Sequence, residues 1–295
     1  MAPRVAPAAA AGPTGIRTLR GIMRGEAVTT TGRTSKTRQT LPHPSRYLVR
    51  ELDRNPSETP PLRCAVIGAG RLGHALTAAL TEAGLDVEGP LGRGADPRAD
   101  VVLLTVPDHE IATAAATLTP LNAQFVGHCS GATTLAPLHP HEAFSLHPLM
   151  TVPQGGTAPF AQAGCAIAGS TTAALKVAEA LATALQMRPV EVADEDRAAY
   201  HAAASIAANF LVTLEGAAER LAATAGVPRE LLVPLARAAL ENWAAQGAQQ
   251  ALTGPVARGD EATIARQREA VEERAPDLLE AFDALVAASR VLVST

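Results

Sequence analysis

Apolar residues in the first sixty positions follow no sustained period, and patterns that specify elements begin only near Leu62. "RCAVIGAGRLGHALTAALTEAGLDV" opens on a short apolar run, Cys64 to Ile67, breaks at Gly68, and continues in an apolar pattern that ends at Gly84. The pattern predicts strand, tight turn, helix and second strand. The second strand lies in "LDVEGPLGRG", and only "ADPRAD" separates that turn from "VVLLTVPD", too little for a full helix. "VVLLTVPD", "FVGHCSG" and "AFSLHPLMTVP" predict further buried strands. "CAIAGS", an Ala-rich helix over about 172–186, and "PVEVAD" predict another strand-helix-strand unit. After Asp194 the pattern is helical alone, over about 195–225, 229–252 with a kink expected at Pro234, 260–273 and 276–291.

The fold class that follows is α/β: an N-terminal Rossmann-type doubly wound sheet over 61–194, then an all-α domain over 195–295. Residues 1–60 carry ten Lys or Arg against four Asp or Glu, a local charge of +6, and the remainder carries −10. That basic head is rich in Pro, Gly, Thr and Arg and cannot bury enough surface to order itself, so a disordered tail is expected. Its Arg-rich, acid-poor start leaves a transit peptide open, while no apolar h-region of a secretory signal is present. The acidic body argues against a nucleic-acid surface, which needs clustered cations. No apolar run approaches the ~20 residues that cross a bilayer, so no membrane partner and a cytoplasmic location are expected. Cys64, Cys129 and Cys165 are odd in number and widely spaced, against both disulfides and a metal cluster.

Candidate chemistry collects at the carboxyl ends of the strands, where ligands lie in open α/β sheets. Gly68, Ala69, Gly70, Arg71, Leu72 and Gly73 form G-x-G-x-x-G between a strand and a helix. The glycines allow a tight turn, close approach of backbone to a pyrophosphate, and tight packing of helix on strand. The helix N-terminus then offers free N–H groups to the phosphates. Glu88 has the spacing of a residue that holds ribose hydroxyls, but it lies within the strand, and Arg93 at the strand end favours NADP(H), with Arg71 as a second phosphate contact. Val106, Pro107 and Ser130 stand at strand ends near the nicotinamide, and Ser130, Gly131 and His147 near a substrate. For His128 and His147 the alternative is a hydrogen-bonded loop residue.

"YHAAASIAANFLVTL" places His201, Ser205 and Asn209 at four-residue steps on one helix face, with Ile206, Phe210, Leu211 and Leu214 on others. A polar line on a helix packed between other elements must pair with protein, water or ligand. Hydride addition to a carbonyl needs a proton donor at the developing alkoxide and is helped by an amide beside it, roles open to His201 and Asn209. Satisfied core side chains are the other reading. In "LTGPVARGD", Arg258 offers a fork for a substrate carboxylate, or a surface ion pair; Asp260 stands beside it and can equally cap the next helix.

Taken in order, "CAVIGAGRLGHAL", "VVLLTVPDHEI", "GHCSGATTL", "SLHPLMTVP", "HAAASIAANFLVTL" and "LTGPVARGD" resemble the Rossmann-like proteins with a C-terminal helical domain of unknown function. That family sits in the 6-phosphogluconate dehydrogenase-like group, beside ketopantoate reductases and pyrroline-5-carboxylate reductases. The resemblance covers about 62–291 and implies reduction of a small oxo acid by NADPH, ketopantoate first, with a cyclic imine or a non-catalytic NADPH sensor as alternatives. The ketopantoate reductase glycine turn matches Gly68, Gly70 and Gly73, its strand-end Arg matches Arg93, and its Asn-Gly falls at Ser130-Gly131. Its catalytic Lys and following Asn residues are similar to His201, Ser205 and Asn209. This chain departs there: its lysines are Lys36 and Lys176, so none can take that part; an imidazolium can still donate a proton, and a different substrate is equally allowed. "SLHPLMTVP" is also similar to the His-Pro of prephenate dehydrogenases, which suggests a bulkier acid. Pairing of helical second domains, common in the group, implies a homodimer.

Overall fold

The computed structural model describes residues 62–120, 122–153 and 158–294. The tail expected over 1–60 lies outside them. Seven strands form one sheet in the order β2-β1-β3-β4-β5-β6-β7: β1 (Arg63–Ile67), β2 (Asp86–Leu91), β3 (Ala99–Leu104), β4 (Ala123–His128), β5 (Glu142–Leu149), β6 (Gly164–Gly169) and β7 (Arg188–Glu191). Every pairing is parallel except that of β5 with β6. The order reverses at β1, whose neighbours are β2 and β3, and this opens a crevice at their carboxyl ends.

Alternation along the central strands explains the layers. Cys64 and Val66 of β1 and Val101 and Leu103 of β3 enter one apolar core with Leu76 and Leu80 of α1 (Arg71–Glu82). Ala65, Ile67, Val102 and Leu104 face the other way, onto Ile111 of the short α2 (Ile111–Ala116) and onto Leu138. Both faces of the sheet are covered, hence the nearly continuous apolar runs of β1 and β3. Helix α3 (Thr172–Ala184) contributes Val177 and Leu181 to the first core, and Thr171 caps it by accepting from Ala174 N–H. The link from β2 to β3 contains no helix.

The chain divides into two compact units, the first ending at Ala203 and the second beginning at Ala204. The division falls inside α4 (Arg197–Ser205), nine residues past the boundary expected after Asp194, while the last strand ends at Glu191. The single helix expected over 195–225 differs in detail: α4 passes into a π-helical turn, Ile206–Phe210, and then into α5 (Leu211–Ala223). A π turn closes at i to i+5, so the four-residue step from Ser205 to Asn209 is no longer one α-helical turn.

In the second unit the helix expected over 229–252 is also broken. Pro234 sits in the first turn of α6 (Val233–Gln246), where its missing N–H costs nothing, so it starts the helix rather than kinking it. Gly247, at φ +79, ends α6 before the short α7 (Ala248–Ala251). After α8 (Pro255–Arg258) come α9 (Glu261–Arg274) and α10 (Leu279–Ser294). Ile264 and Val271 of α9 are buried, and Arg268 of α9 reaches Asp283 of α10 at 3.1 Å. That pair is exposed and contributes little. Among the described residues, no helix is long and apolar enough to cross a membrane.

Candidate functional site

The glycine turn closes β1 against β3. Gly68 has φ +121, and a β-carbon there would lie 2.6 Å from Thr105 Oγ1. The Thr105 hydroxyl lies within hydrogen-bond reach of the carbonyls of Ile67 and Gly68, at 3.1 and 2.9 Å, and its N–H donates to Ile67 at 2.7 Å. Gly73, in the first turn of α1, is tighter: its β-carbon would lie 1.8 Å from the Gly68 carbonyl oxygen. Gly70 differs, since a β-carbon there would meet nothing within 4 Å. Two glycines thus hold backbone against backbone, and the one between them leaves open space at the N-terminus of α1. The first turn of α1 carries no acidic side chain and begins with Arg71. An open glycine at the positive end of a twelve-residue helix suits a diphosphate; these residues fit a dinucleotide.

Around that turn, Ala69 is exposed and Leu72 packs onto the first core. Arg71 donates to the Val152 carbonyl at 3.2 Å. Arg93, two residues past the end of β2 and 78% exposed, meets Glu110 at 2.8 Å. Val106 and Pro107 follow β3, and the Pro107 carbonyl accepts from Glu110 N–H at 2.8 Å.

Beyond β4, Ser130 is buried and its hydroxyl builds its own turn. Oγ accepts from Thr133 N–H at 2.9 Å and Ala132 N–H at 3.2 Å, and it lies 2.9 Å from Thr133 Oγ1. His128 braces the same loop: Nδ1 accepts from Ser130 N–H at 3.2 Å, and Nε2 donates to the Thr134 carbonyl at 3.1 Å. Burial, first of all, holds its pKa below the usual histidine range. His128 therefore has the loop role that was its alternative.

Gly131 stands where two imidazoles converge. A β-carbon there would lie 2.7 Å from His147 Cε1 and 2.8 Å from His201 Cδ2. His147, on β5, and His201, on α4, have ring centroids 6.2 Å apart. His147 Nδ1 is 2.8 Å from the Tyr200 hydroxyl, and the two rings meet edge-on at 88°. Burial, then the neighbouring His201 and Arg197, push the His147 pKa down to about 4; burial pushes the Tyr200 hydroxyl up to about 12. Both groups are neutral at physiological pH.

Arg197 holds α4 in place. It is 1% exposed; Nε donates to Asp194 Oδ1 at 2.8 Å, Nη2 donates to the buried Ser145 hydroxyl of β5, and Nη1 is buried with no hydrogen-bond partner. Neither Arg197 nor Tyr200 was singled out from sequence. Their signal was available: Arg197, Tyr200 and His201 fall at i, i+3 and i+4, one helix face.

The remaining candidates lie in the second unit. Ser205 ends α4 half-buried, and Asn209 is exposed in the π turn, with its carbonyl accepting from the Thr213 hydroxyl at 3.1 Å. Arg258 is exposed at the end of α8. Asp260 caps α9, Oδ1 accepting from Thr263 N–H at 3.0 Å, and the Thr263 hydrogen bonds hold its carboxyl below the usual range. The structure thus gives Asp260 the capping role that stood as its alternative. The three thiols are unpaired and buried; burial raises Cys64 and Cys165 to about 12 and raises Cys129 also. Among the described residues, no group of three or more His, Cys, Asp or Glu is placed to hold a metal ion.

Residues 163–289, from the edge of β6 into α10, match the model of a domain of unknown function, DUF2520. Solved structures share the fold, three among them as follows. A candidate NADP oxidoreductase from Bacteroides fragilis is 19% identical, with 78% of this chain and 98% of that one covered, at a TM-score of 0.68. The Thermotoga maritima protein TM1727 is 23% identical over the same shares, at 0.65. A 1-pyrroline-5-carboxylate reductase from Streptococcus pyogenes is 14% identical, again over 78% and 98%, at 0.52. No curated protein matches the chain by sequence. The N-terminal sheet is Rossmann-like, as in NADP oxidoreductases, and a helical region follows it.

Proposed function

We propose that the chain is an NADP-dependent oxidoreductase that reduces a small oxo acid, with ketopantoate as the leading candidate. The observation that carries this reading is the pairing of a dinucleotide-shaped glycine turn with two imidazoles around Gly131, both at the carboxyl edge of one sheet. When bound, NADPH supplies the hydride. Gly68 to Gly73 hold its pyrophosphate on the N-terminus of α1, and Arg93, exchanging Glu110 for a phosphate, selects NADP over NAD. Val106, Pro107 and the Ser130 turn shape the nicotinamide end. His201 donates a proton to the oxygen that becomes the product hydroxyl. Asn209 and Ser205 orient the carbonyl, and Arg258 holds the substrate carboxylate.

The test is NADPH consumption with ketopantoate, beside NADH and beside a cyclic imine, in wild-type and His201→Ala protein. Turnover that prefers NADPH and falls about 10²-fold in the variant is expected. Undiminished turnover in His201→Ala removes the assignment of that residue, and activity on the imine alone moves the acceptor from oxygen to nitrogen.

The functional unit in this reading is a homodimer located in the cytoplasm. In the helical unit Phe210, Val212, Leu231, Leu235 and Trp243 are 57, 71, 66, 70 and 56% exposed, apolar area that a second copy would cover in this reading. Sedimentation should report twice the chain mass; a monomer at micromolar concentration would remove the dimer.

A further inference from the structure

We infer that Tyr200 is a positioning residue that fixes His147 as an Nε2–H hydrogen-bond donor, and that this N–H holds the acceptor oxygen of the substrate beside Gly131. The inference rests on the reductase reading above. Its starting point is the hydrogen bond between the two side chains. The Tyr200 hydroxyl lies 2.8 Å from His147 Nδ1, and among the described residues it has no other acceptor. A phenol O–H is the stronger donor of the two groups and an imidazole nitrogen the stronger acceptor, so in this inference the hydroxyl donates, Nδ1 accepts, and the neutral ring carries its proton on Nε2.

The charges around His147 keep it neutral. His201, Arg197 and His128 oppose a positive charge on the ring and Asp108 favours one, and burial outweighs them all. His201, its ring centroid 6.2 Å from that of His147, is the first of these neighbours. Two neighbouring histidines can thus divide the work, His201 as proton donor and His147 as a fixed dipole.

Gly131, having no side chain, leaves one edge of His147 uncovered. The Cε1–Nε2 edge of His147 faces Gly131, where a β-carbon would sit 2.7 Å from Cε1 and 2.9 Å from Nε2. Among the described residues Nε2 has no hydrogen-bond partner, although Nδ1 has one. In the reaction, the carbonyl carbon receives the hydride from the cofactor, and the C=O π pair moves onto oxygen. The oxygen takes the proton of His201. His147 keeps its own proton throughout and stabilises the charge that develops on oxygen, as a preorganised donor does.

Long-range proton–nitrogen NMR of full-length protein with isotope-labelled histidine tests the dyad without any substrate, using His147→Gln to assign the signal. The expected spectrum shows His147 uncharged and protonated on Nε2 through neutral pH, and a mixture of tautomers in Tyr200→Phe. Kinetics with ketopantoate and with a cyclic imine should then show kcat reduced about 10²-fold in His147→Gln, the weight of one oxyanion donor, and by about tenfold in Tyr200→Phe, with the affinity for NADPH unchanged. A proton on Nδ1, a tautomer indifferent to Tyr200→Phe, or undiminished kcat in His147→Gln overturns the inference. Failure of wild-type protein to consume NADPH with either acceptor overturns the reductase reading instead, and the tautomer spectra still decide whether Tyr200 fixes His147.

Discussion

Gly73→Ala is expected to abolish NADPH binding and to lower the thermal midpoint by roughly 10 °C, whereas Gly70→Ala should fold like wild type and lose only the cofactor. The two positions lie three residues apart in one motif, and their surroundings differ. At Gly73 the added methyl would stand 1.8 Å from the Gly68 carbonyl oxygen, backbone that no rotamer change can clear. Helix α1 would have to lift from the turn, pulling Leu76 and Leu80 out of the core they share with β1 and β3. Overpacking of a tight core costs about 1–3 kcal/mol and more where backbone must move, and each kcal/mol shifts the midpoint of a domain this size by about 2–4 °C. At Gly70 a methyl meets nothing, and the φ of −80° there suits any residue. It would instead occupy the space assigned to the pyrophosphate. Thermal melts with an NADPH titration separate the two. A Gly73→Ala protein that melts and binds like wild type would remove the close packing of turn and helix, and normal binding by Gly70→Ala would remove the cofactor from that turn.

The glycine motif could be read from sequence because its positions are fixed by backbone geometry alone, in a local segment. The strands of the first unit were readable for a related reason: with both faces covered, β1 and β3 are almost wholly apolar. The direction of β6 was harder. It runs antiparallel to β5, and among the described residues of their connection no helix carries the chain back over the sheet; an apolar run such as "CAIAGS" does not encode its direction.

The helix carrying His201 shows where periodicity stops being informative. At about 100° per residue, His201 shares a face with Ser205 ahead of it and with Arg197 and Tyr200 behind it, and sequence cannot say which end meets the sheet. In the structure Arg197 and Tyr200 do, through Ser145 and His147 of β5. The π turn had no signal of its own. Ile206 and Phe210, read as faces packed between elements, are 62 and 57% exposed in the single chain; apolar periodicity marks a face that wants cover without naming what covers it. Ser130 is the opposite case. Its hydroxyl serves its own turn, and "SGATT" contains the short-range pattern of Ser with N–H groups two and three residues on.

Arg197→Ala should cost about 3–5 kcal/mol in urea unfolding, the range for breaking a buried charged network, while leaving NADPH affinity within about twofold, given that the glycine turn makes no use of this residue. The cost does not come from stranding Asp194, whose side chain is 43% exposed and can be rehydrated. It comes from the void left by a fully buried side chain and from the Ser145 hydroxyl, 0% exposed, which loses its donor. Asp194→Asn, which keeps a hydrogen-bond acceptor at a half-exposed position, should therefore cost much less, about 1 kcal/mol. Arg197→Met is the informative third variant. The native guanidinium already buries one unpartnered N–H group, Nη1, and burying an unsatisfied donor is unfavourable; a thioether that fills most of the volume should regain part of the loss, as apolar replacements of buried ions do. The site should suffer in all cases where the guanidinium goes, because Arg197 fixes the first turn of α4, and Tyr200 and His201 follow on its next turn. It also removes a positive charge that helps to hold His147 down at about 4, so the His147 titration should move upward in Arg197→Met even where the fold survives. Wild-type stability in Arg197→Ala, or an unmoved His147 in Arg197→Met, would mean that α4 is seated on the sheet by something other than this arginine.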